Sequence, residues 1–204
     1  DLLNKANEAF DNSLEDLNSQ GELVGKTGNS TLIHTLGKSS PIRLLFVGLG
    51  KRDAMTEKAV TEVLGASFRK ARSIGASIVA IAVDTFCTEE IKAERIVELV
   101  TLSAINGLYR YEDHISEKSD KAISEVLIIM EIPAEVNVSS YTAIADAINL
   151  ARDLANAPAN HMTPTILAGV AEREAQENNL GFELIDEDKM KQFGMGSLLG
   201  VAQG

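Results

Sequence analysis

The sequence predicts an α/β fold: a mainly parallel sheet flanked by helices, then a linker helix and a truncated α/β segment. Three observations carry this expectation. Short apolar runs alternate with long amphipathic ones, the order of layered α/β proteins. The runs "IRLLFVGL" and "SIVAIAVDTF" are almost continuously apolar, as strands covered on both faces are. Hydrophobic residues make up 45% of the 204, enough for a sizeable core. Trp is absent and aromatics are only 4%, so Ile, Leu, Val and Ala must build that core.

The elements follow in order. Residues 1–17 read as one helix with Leu3, Phe10, Leu14 and Leu17 facing inward. "STLIHTL" (30–36) predicts a strand with Leu32, His34 and Leu36 on one side and Ile33 and Thr35 on the other. "IRLLFVGL" (42–49) is the next strand. Thr56 caps a helix whose inward face is Val60, Val63, Leu64, Phe68 and Ala71, with Gly75 as its stop. After "SIVAIAVDTF", Thr88 is placed as the cap of a second helix, with Glu89 and Glu90 at its positive end and Val97, Val100, Ala104, Ile105 and Leu108 on one face. "SEVLIIMEI" (124–132) is a further strand. Strand, helix, strand, helix, strand predicts mainly parallel pairing through right-handed crossovers.

From Ser139 the composition turns Ala-rich and helical, with Ile144, Ala147, Ile148, Ala151 and Ala155 along one stripe. Pro158 ends this helix. In "RDLANAPANHMTP" (152–164), Thr163 and Pro164 then start another, as N-cap and first helical residue. "GFELI" is read as a strand, "DEDKMKQFG" as a short helix and "SLLGVAQG" as a strand. A sheet begun at 181 has too few partners to stand alone. The expectation is therefore that residues 150–204 open a second domain of which most lies elsewhere. The chain also begins without Met, which leaves room for upstream residues.

The charge balance narrows the function. Nineteen basic against 30 acidic residues give −11. Before residue 139 the balance is 15 against 21, and after it 4 against 9. No basic stripe stands out, which argues against nucleic acid as a partner. The apolar runs are too short for a bilayer, so no membrane partner is expected. The polar start "DLLNKANEAFDNSLEDL" is unlike a signal peptide. Cys87 is the only cysteine, so no intramolecular disulfide forms, which fits a reducing compartment.

Candidate chemistry is sparse. Gly48 and Gly50 in "FVGLGKRD" lie after a strand and before a helix, where N–H groups attract phosphate. Asp53 stands where the dinucleotide fingerprint needs its third glycine, and a tight strand-to-helix turn is the plainer reading. His34, His114 and His161 share no metal-ligand spacing. Cys87, ahead of a helix start, sits where a thiol pKa can fall, and a Cys–His pair with His114 or His161 is the sharper alternative to a structural cysteine. Glu94 and Glu98 share a helix face that either binds a metal or is simply solvated. "IDEDK" reads as an acidic helix start, and Gly196-Ser197 has the wrong context for a nucleophile elbow.

Two stretches give the chain a family resemblance. "NLARDLANAPANHMTPTILAGVAE" and "MGSLLGVAQG" together resemble the joint and first catalytic strand of the M17 leucyl aminopeptidases, with "LLFVGLGK" and "INGLYRYEDH" similar to upstream segments of that family. The resemblance implies a macro-domain-like N-terminal domain over 1–138, a linker helix over 139–157 and the truncated start of a catalytic peptidase domain over 158–204. It implies a cytoplasmic homo-hexamer that uses two divalent metals, manganese or zinc, to release N-terminal residues from peptides. The family's metal ligands and catalytic residues lie in segments close to "VGKG.TFDSGG" and "NTDAEGR", and neither occurs in these 204 residues. No residue here inherits a catalytic, metal or cofactor-binding role, so the fragment itself is expected to be inactive. A macro-like fold also carries a rival reading as an ADP-ribose or nucleotide module, with Gly48 to Lys51 as its place. A third is a role in oligomer assembly alone.

Overall fold

The computed structural model describes residues 2–116, 121–131 and 135–202. They form two compact units, residues 1–152 and 153–204.

The first unit opens with two helices, α1 (Leu2–Ala9) and α2 (Ser13–Ser19), where the sequence predicts one. The break falls at Asp11 and Asn12, which take left-handed backbone at φ 53° and 66°. Asp and Asn tolerate that conformation because their short polar side chains bond locally. Here Asn7 Nδ2 donates to Asn12 Oδ1, and Asn7 Oδ1 accepts the Glu15 N–H. The turn lets Phe10 and Leu14 both bury; Leu17 is half-buried, and the Leu3 side chain lies outside the described set.

Strands β1 (Ser30–His34) and β2 (Arg43–Val47) pair antiparallel, with Ser30 opposite Val47 and His34 opposite Arg43. This corrects the expected strand at 30–36. Thr35 is buried, and its hydroxyl bonds the carbonyls of Pro41 and Ile42. Leu36 then turns out of line at φ 51° and is 91% exposed. His34 is also exposed rather than aligned with a buried Leu36. Strands β3 (Ile78–Ala82) and β4 (Glu125–Ile129) pair parallel, Ile78 beside Glu125. Among the described residues the sheets are thus two pairs, one antiparallel and one parallel, where mainly parallel pairing is expected. A hairpin with an eight-residue connection can only be antiparallel, whereas the helix between β3 and β4 allows the parallel crossover. Ile132, the last residue of the predicted strand at 124–132, lies outside the described residues.

Helix α3 (Glu57–Ser73) follows the prediction closely. Thr56 accepts the Ala59 N–H, all five predicted inward residues are buried, and Gly75 follows at φ 72°. Helix α4 (Ala93–Leu108) starts later than predicted. Thr88 closes a turn instead: its N–H donates to the Ile91 carbonyl and its Oγ1 accepts the Ile91 N–H. Ile91 is buried by that turn. Leu64 and Phe68 of α3 pack with Ile96, Val97 and Val100 of α4 in one cluster. Val79, Ile81, Val126 and Ile128 close it from one face of β3 and β4. A methyl on Gly107 would lie 3.2 Å from Gly65 Cα, so α3 and α4 cross nearly backbone to backbone.

Helix α5 (Val138–Asn156) leaves Ile144, Ala147, Ile148, Ala151 and Ala155 exposed and buries Ala145 instead. Arg152 ties it to α4, donating to the Asn106 carbonyl at 3.0 Å and lying over the Tyr109 ring at 5.3 Å.

The second unit holds α6 (Pro164–Glu177), α7 (Glu187–Gln192) and α8 (Gly196–Val201), and no strand among its described residues. Two predicted strands are corrected. Residues 181–185 form no regular element, and 196–201 form a helix. A strand needs a neighbour for its N–H and C=O groups, and this unit offers none. Residues 195–202 satisfy part of their own backbone, Leu199 N–H donating to Met195 O and Ala202 N–H to Leu198 O.

Candidate functional site

The end of β2 is where a phosphate would sit if Gly48 and Gly50 served one, and the chain has filled it. Gly48 N–H donates to Asn29 O at 2.8 Å, and Gly50 N–H donates to Gly25 O at 2.8 Å. Gly28 N–H returns a bond to Gly48 O, and Asn29 N–H closes the turn onto Lys26 O. A Cβ on Gly48 would fall 2.2 Å from Lys26 O, and Gly50 sits at φ 79° against Thr27 Oγ1. The glycines therefore serve the close approach of residues 25–29, and their N–H groups are engaged by the chain itself. Gly25 and Gly28 in "GELVGKTGN" are the sequence signal of this approach, though only their pairing with Gly48 gives it meaning.

Cys87 is half-buried, and its thiol donates to Val83 O at 3.5 Å. Burial first, and the Asp84 carboxylate second, push its pKa up, while Arg52 and Lys92 oppose them. Arg52 spends a guanidinium N–H on the Cys87 carbonyl at 2.8 Å. The thiol pKa is raised at a place where a nearby helix start can lower it, which favours the structural cysteine over the Cys–His pair. A thiol held protonated is a poor nucleophile. Modification by iodoacetamide at pH 7 is expected to run several-fold slower than for free cysteine; an equal or faster rate, followed by mass, would contradict this.

The histidines are held by separate surroundings. His34 is exposed at the end of β1. His114 meets the Tyr111 ring edge-on, centroids 5.8 Å apart. His161 lies in the turn after α5, where its backbone N–H and that of Met162 donate to Pro158 O. Thr163 caps α6 by accepting the Ile166 N–H, so "APANHMTP" is a helix-to-helix turn, and its His161 side chain is exposed.

The carboxylates are also engaged. Arg95 bonds Glu98 at 2.5 Å and holds Glu57 through two bonds of 3.0 and 2.7 Å. Those bonds from Arg95 hold the Glu57 carboxyl below its usual value and raise Arg95. Glu94 remains exposed on the same helix. Asp186 caps α7 through the Lys189 N–H at 2.9 Å, as the acidic helix start predicts, and Asp188 pairs with Lys191. Gly196 and Ser197 open α8, a six-residue helix rather than a strand-to-helix elbow. Among the described residues no three His, Cys, Asp or Glu side chains gather closely enough to hold a metal ion. A hollow of about 370 Å³ in the first unit lies among Asn4, Asn7, Leu14, Val24, Thr31 and Phe46. Sequence reasoning missed Arg152, whose partners at 106 and 109 are over forty residues away and leave no local signal.

Comparison with known proteins gives the geometry its context. Residues 1–118 match the cytosol aminopeptidase family, N-terminal domain, and residues 149–204 match the catalytic domain of the same family. The probable cytosol aminopeptidase of Alkaliphilus metalliredigens (strain QYMF) is 31% identical over 199 residues, which cover 94% of this chain and 40% of that one. The chain therefore spans about two-fifths of this curated relative. A tomato leucine aminopeptidase mutant shares the fold at TM-score 0.75 and 22% identity, over 94% of this chain and 38% of that chain. The bottromycin maturation enzyme BotP in complex with Mn does so at TM-score 0.62 and 24% identity, over 78% and 32%.

Proposed function

The chain belongs to the cytosol aminopeptidase family, and from that premise we propose that it serves as the N-terminal portion of an enzyme that releases N-terminal amino acids from peptides. The observation that carries the reading is the order of the two matches, N-terminal domain over 1–118 and catalytic domain over 149–204. In this reading residues 1–138 are a macro-domain-like domain, 139–157 the linker helix and 158–204 the start of the catalytic domain. The working enzyme is a cytoplasmic homo-hexamer with two divalent metals, manganese or zinc. The presence of Mn in the BotP complex, a protein of similar fold, supports metal dependence.

The residues at hand do not fit those metals. Two-metal hydrolysis needs a cluster of carboxylate or similar ligands around a shared water. Among the described residues no such cluster forms, and Glu57 and Glu98 are paired with Arg95, Glu183 with Lys189 and Asp188 with Lys191. In this reading the chain contributes fold and joint, and the chemistry belongs to other segments of the enzyme. The expected result is no release of 4-nitroaniline from leucyl-4-nitroanilide by residues 1–204, with or without added Mn²⁺ or Zn²⁺. Metal-dependent turnover by the purified chain would overturn the assignment of the chemistry to other segments.

A further inference from the structure

The hollow of about 370 Å³ in the first unit takes its lining from α1, α2, residues 23–25 and the β1–β2 pair. Thr31 and Phe46 are partners across the two strands, so their side chains share the sheet face that floors it. Leu14, which is buried, and Val24 add to the apolar floor. The volume falls in the range of small-molecule sites, about 300–1,000 Å³.

The polar side chains of the lining divide into two sets. Asn7 and Thr31 are engaged by the fold. Asn7 Nδ2 donates to Asn12 Oδ1, Asn7 Oδ1 accepts the Glu15 N–H, and Thr31 Oγ1 donates to Glu22 O at 2.9 Å. Asn4, Glu15 and Asn18 are not engaged: among the described residues their side chains form no hydrogen bond or ion pair, yet all three line the hollow. Helical spacing sets them there, Asn4 with Asn7 on α1 and Leu14 with Asn18 on α2.

Charge selects the ligand. Glu15 is the only ionisable side chain among the described lining residues, with no Lys or Arg beside it. A phosphate or carboxylate ligand would meet that carboxylate with no counter-charge. A primary ammonium fits instead, because it offers three N–H donors and no acceptor. Glu15 and the side-chain carbonyls of Asn4 and Asn18 are three acceptors, and the Phe46 ring face also attracts a cation.

We propose that this hollow binds a small organic cation, a primary ammonium on an apolar alkyl or aryl body. Asn4, Glu15 and Asn18 hold the ammonium, and Leu14, Val24 and Phe46 hold the apolar body. Every residue used lies in the first unit, so the inference stands apart from the aminopeptidase reading.

The test titrates residues 1–204 with phenethylammonium and follows amide chemical shifts. Expected is saturable binding with Kd on the order of 1 mM, with shifts centred on α1, α2 and residues 23–25. Phenethyl alcohol, the neutral isostere, should bind about fivefold more weakly, and hydrocinnamate, the matching anion, should not bind. Glu15→Gln should weaken phenethylammonium about fivefold. Val24→Lys, which sets a like charge on the floor, should abolish binding. Both positions are exposed, so the thermal transition should not move. The ligand series uses the unaltered chain, so it decides the matter even where a variant fails to fold. Absence of saturation, equal binding of the alcohol, or tighter binding of hydrocinnamate overturns the proposal. So do shifts scattered over the acidic surface that Glu15→Gln leaves unchanged.

Discussion

Phe68→Ala is expected to destabilise the first unit by about 3–5 kcal/mol, since Phe68 is the largest fully buried side chain among the described residues. Phe68 is 1% exposed and sits where α3 meets α4, within the cluster that holds Leu64, Ile96, Val97 and Val100. The buried cluster around it is aliphatic apart from Phe86 and relaxes only partly into the space it leaves. The transfer cost and the cavity cost therefore add. For a unit of this size the change corresponds to a fall of roughly 10 °C in Tm. Thermal melting followed by circular dichroism measures it, and a shift below about 2 °C would place the core elsewhere.

Gly48→Ala is expected to cost about 3 kcal/mol or more, although it adds only a methyl. The new Cβ would fall 2.2 Å from Lys26 O and 2.8 Å from the Gly25 carbonyl carbon, both backbone atoms that no rotamer change can move. Relief requires residues 25–29 to lift from the end of β2, which breaks the bonds between Gly48 and Asn29 and between Gly50 and Gly25. Gly181→Ala is the matched control, since nothing lies within 4 Å of its added methyl. Urea unfolding of the three proteins compares them. Equal midpoints for Gly48→Ala and the wild type would show that residues 25–29 do not pack on β2 in solution.

The contrast between these substitutions shows what the sequence could and could not reveal. The face of α3 was legible because a helix writes its own period: Val60, Val63, Leu64, Phe68 and Ala71 recur at helical spacing and all are buried. Its cap at Thr56, the Thr163-Pro164 start of α6 and the Asp186 cap of α7 were legible for the same reason, since capping involves residues three apart. The pairing of strands was not. Antiparallel β1 with β2 depends on where the chain turns, and Leu36 in a left-handed position gives no warning of a turn. The second unit inverted the expectation at 181–185 and 196–201 because strand composition acts only through a neighbour. At the candidate site, Gly48 and Gly50 were visible as a backbone requirement, but what approached them was visible only in three dimensions. The Cys87 environment was not legible, since the desolvation and the Asp84 carboxylate that raise its pKa are tertiary effects.

The two strand pairs also differ in how they can come apart. The β1–β2 hairpin joins residues 34 and 43 across a short connection, so closing it costs little chain entropy. Pairing Ile78 with Glu125 encloses all of α4, and one cluster packs these strands on both α3 and α4. The parallel pair is therefore bound to the global opening of the first unit, whereas the hairpin end near Leu36 can fray alone. Native-state hydrogen exchange should give the amides of 79–82 and 126–129 the same opening free energy as those of 96–100. Faster exchange confined to 126–129 would show that the parallel pair opens independently of the helices.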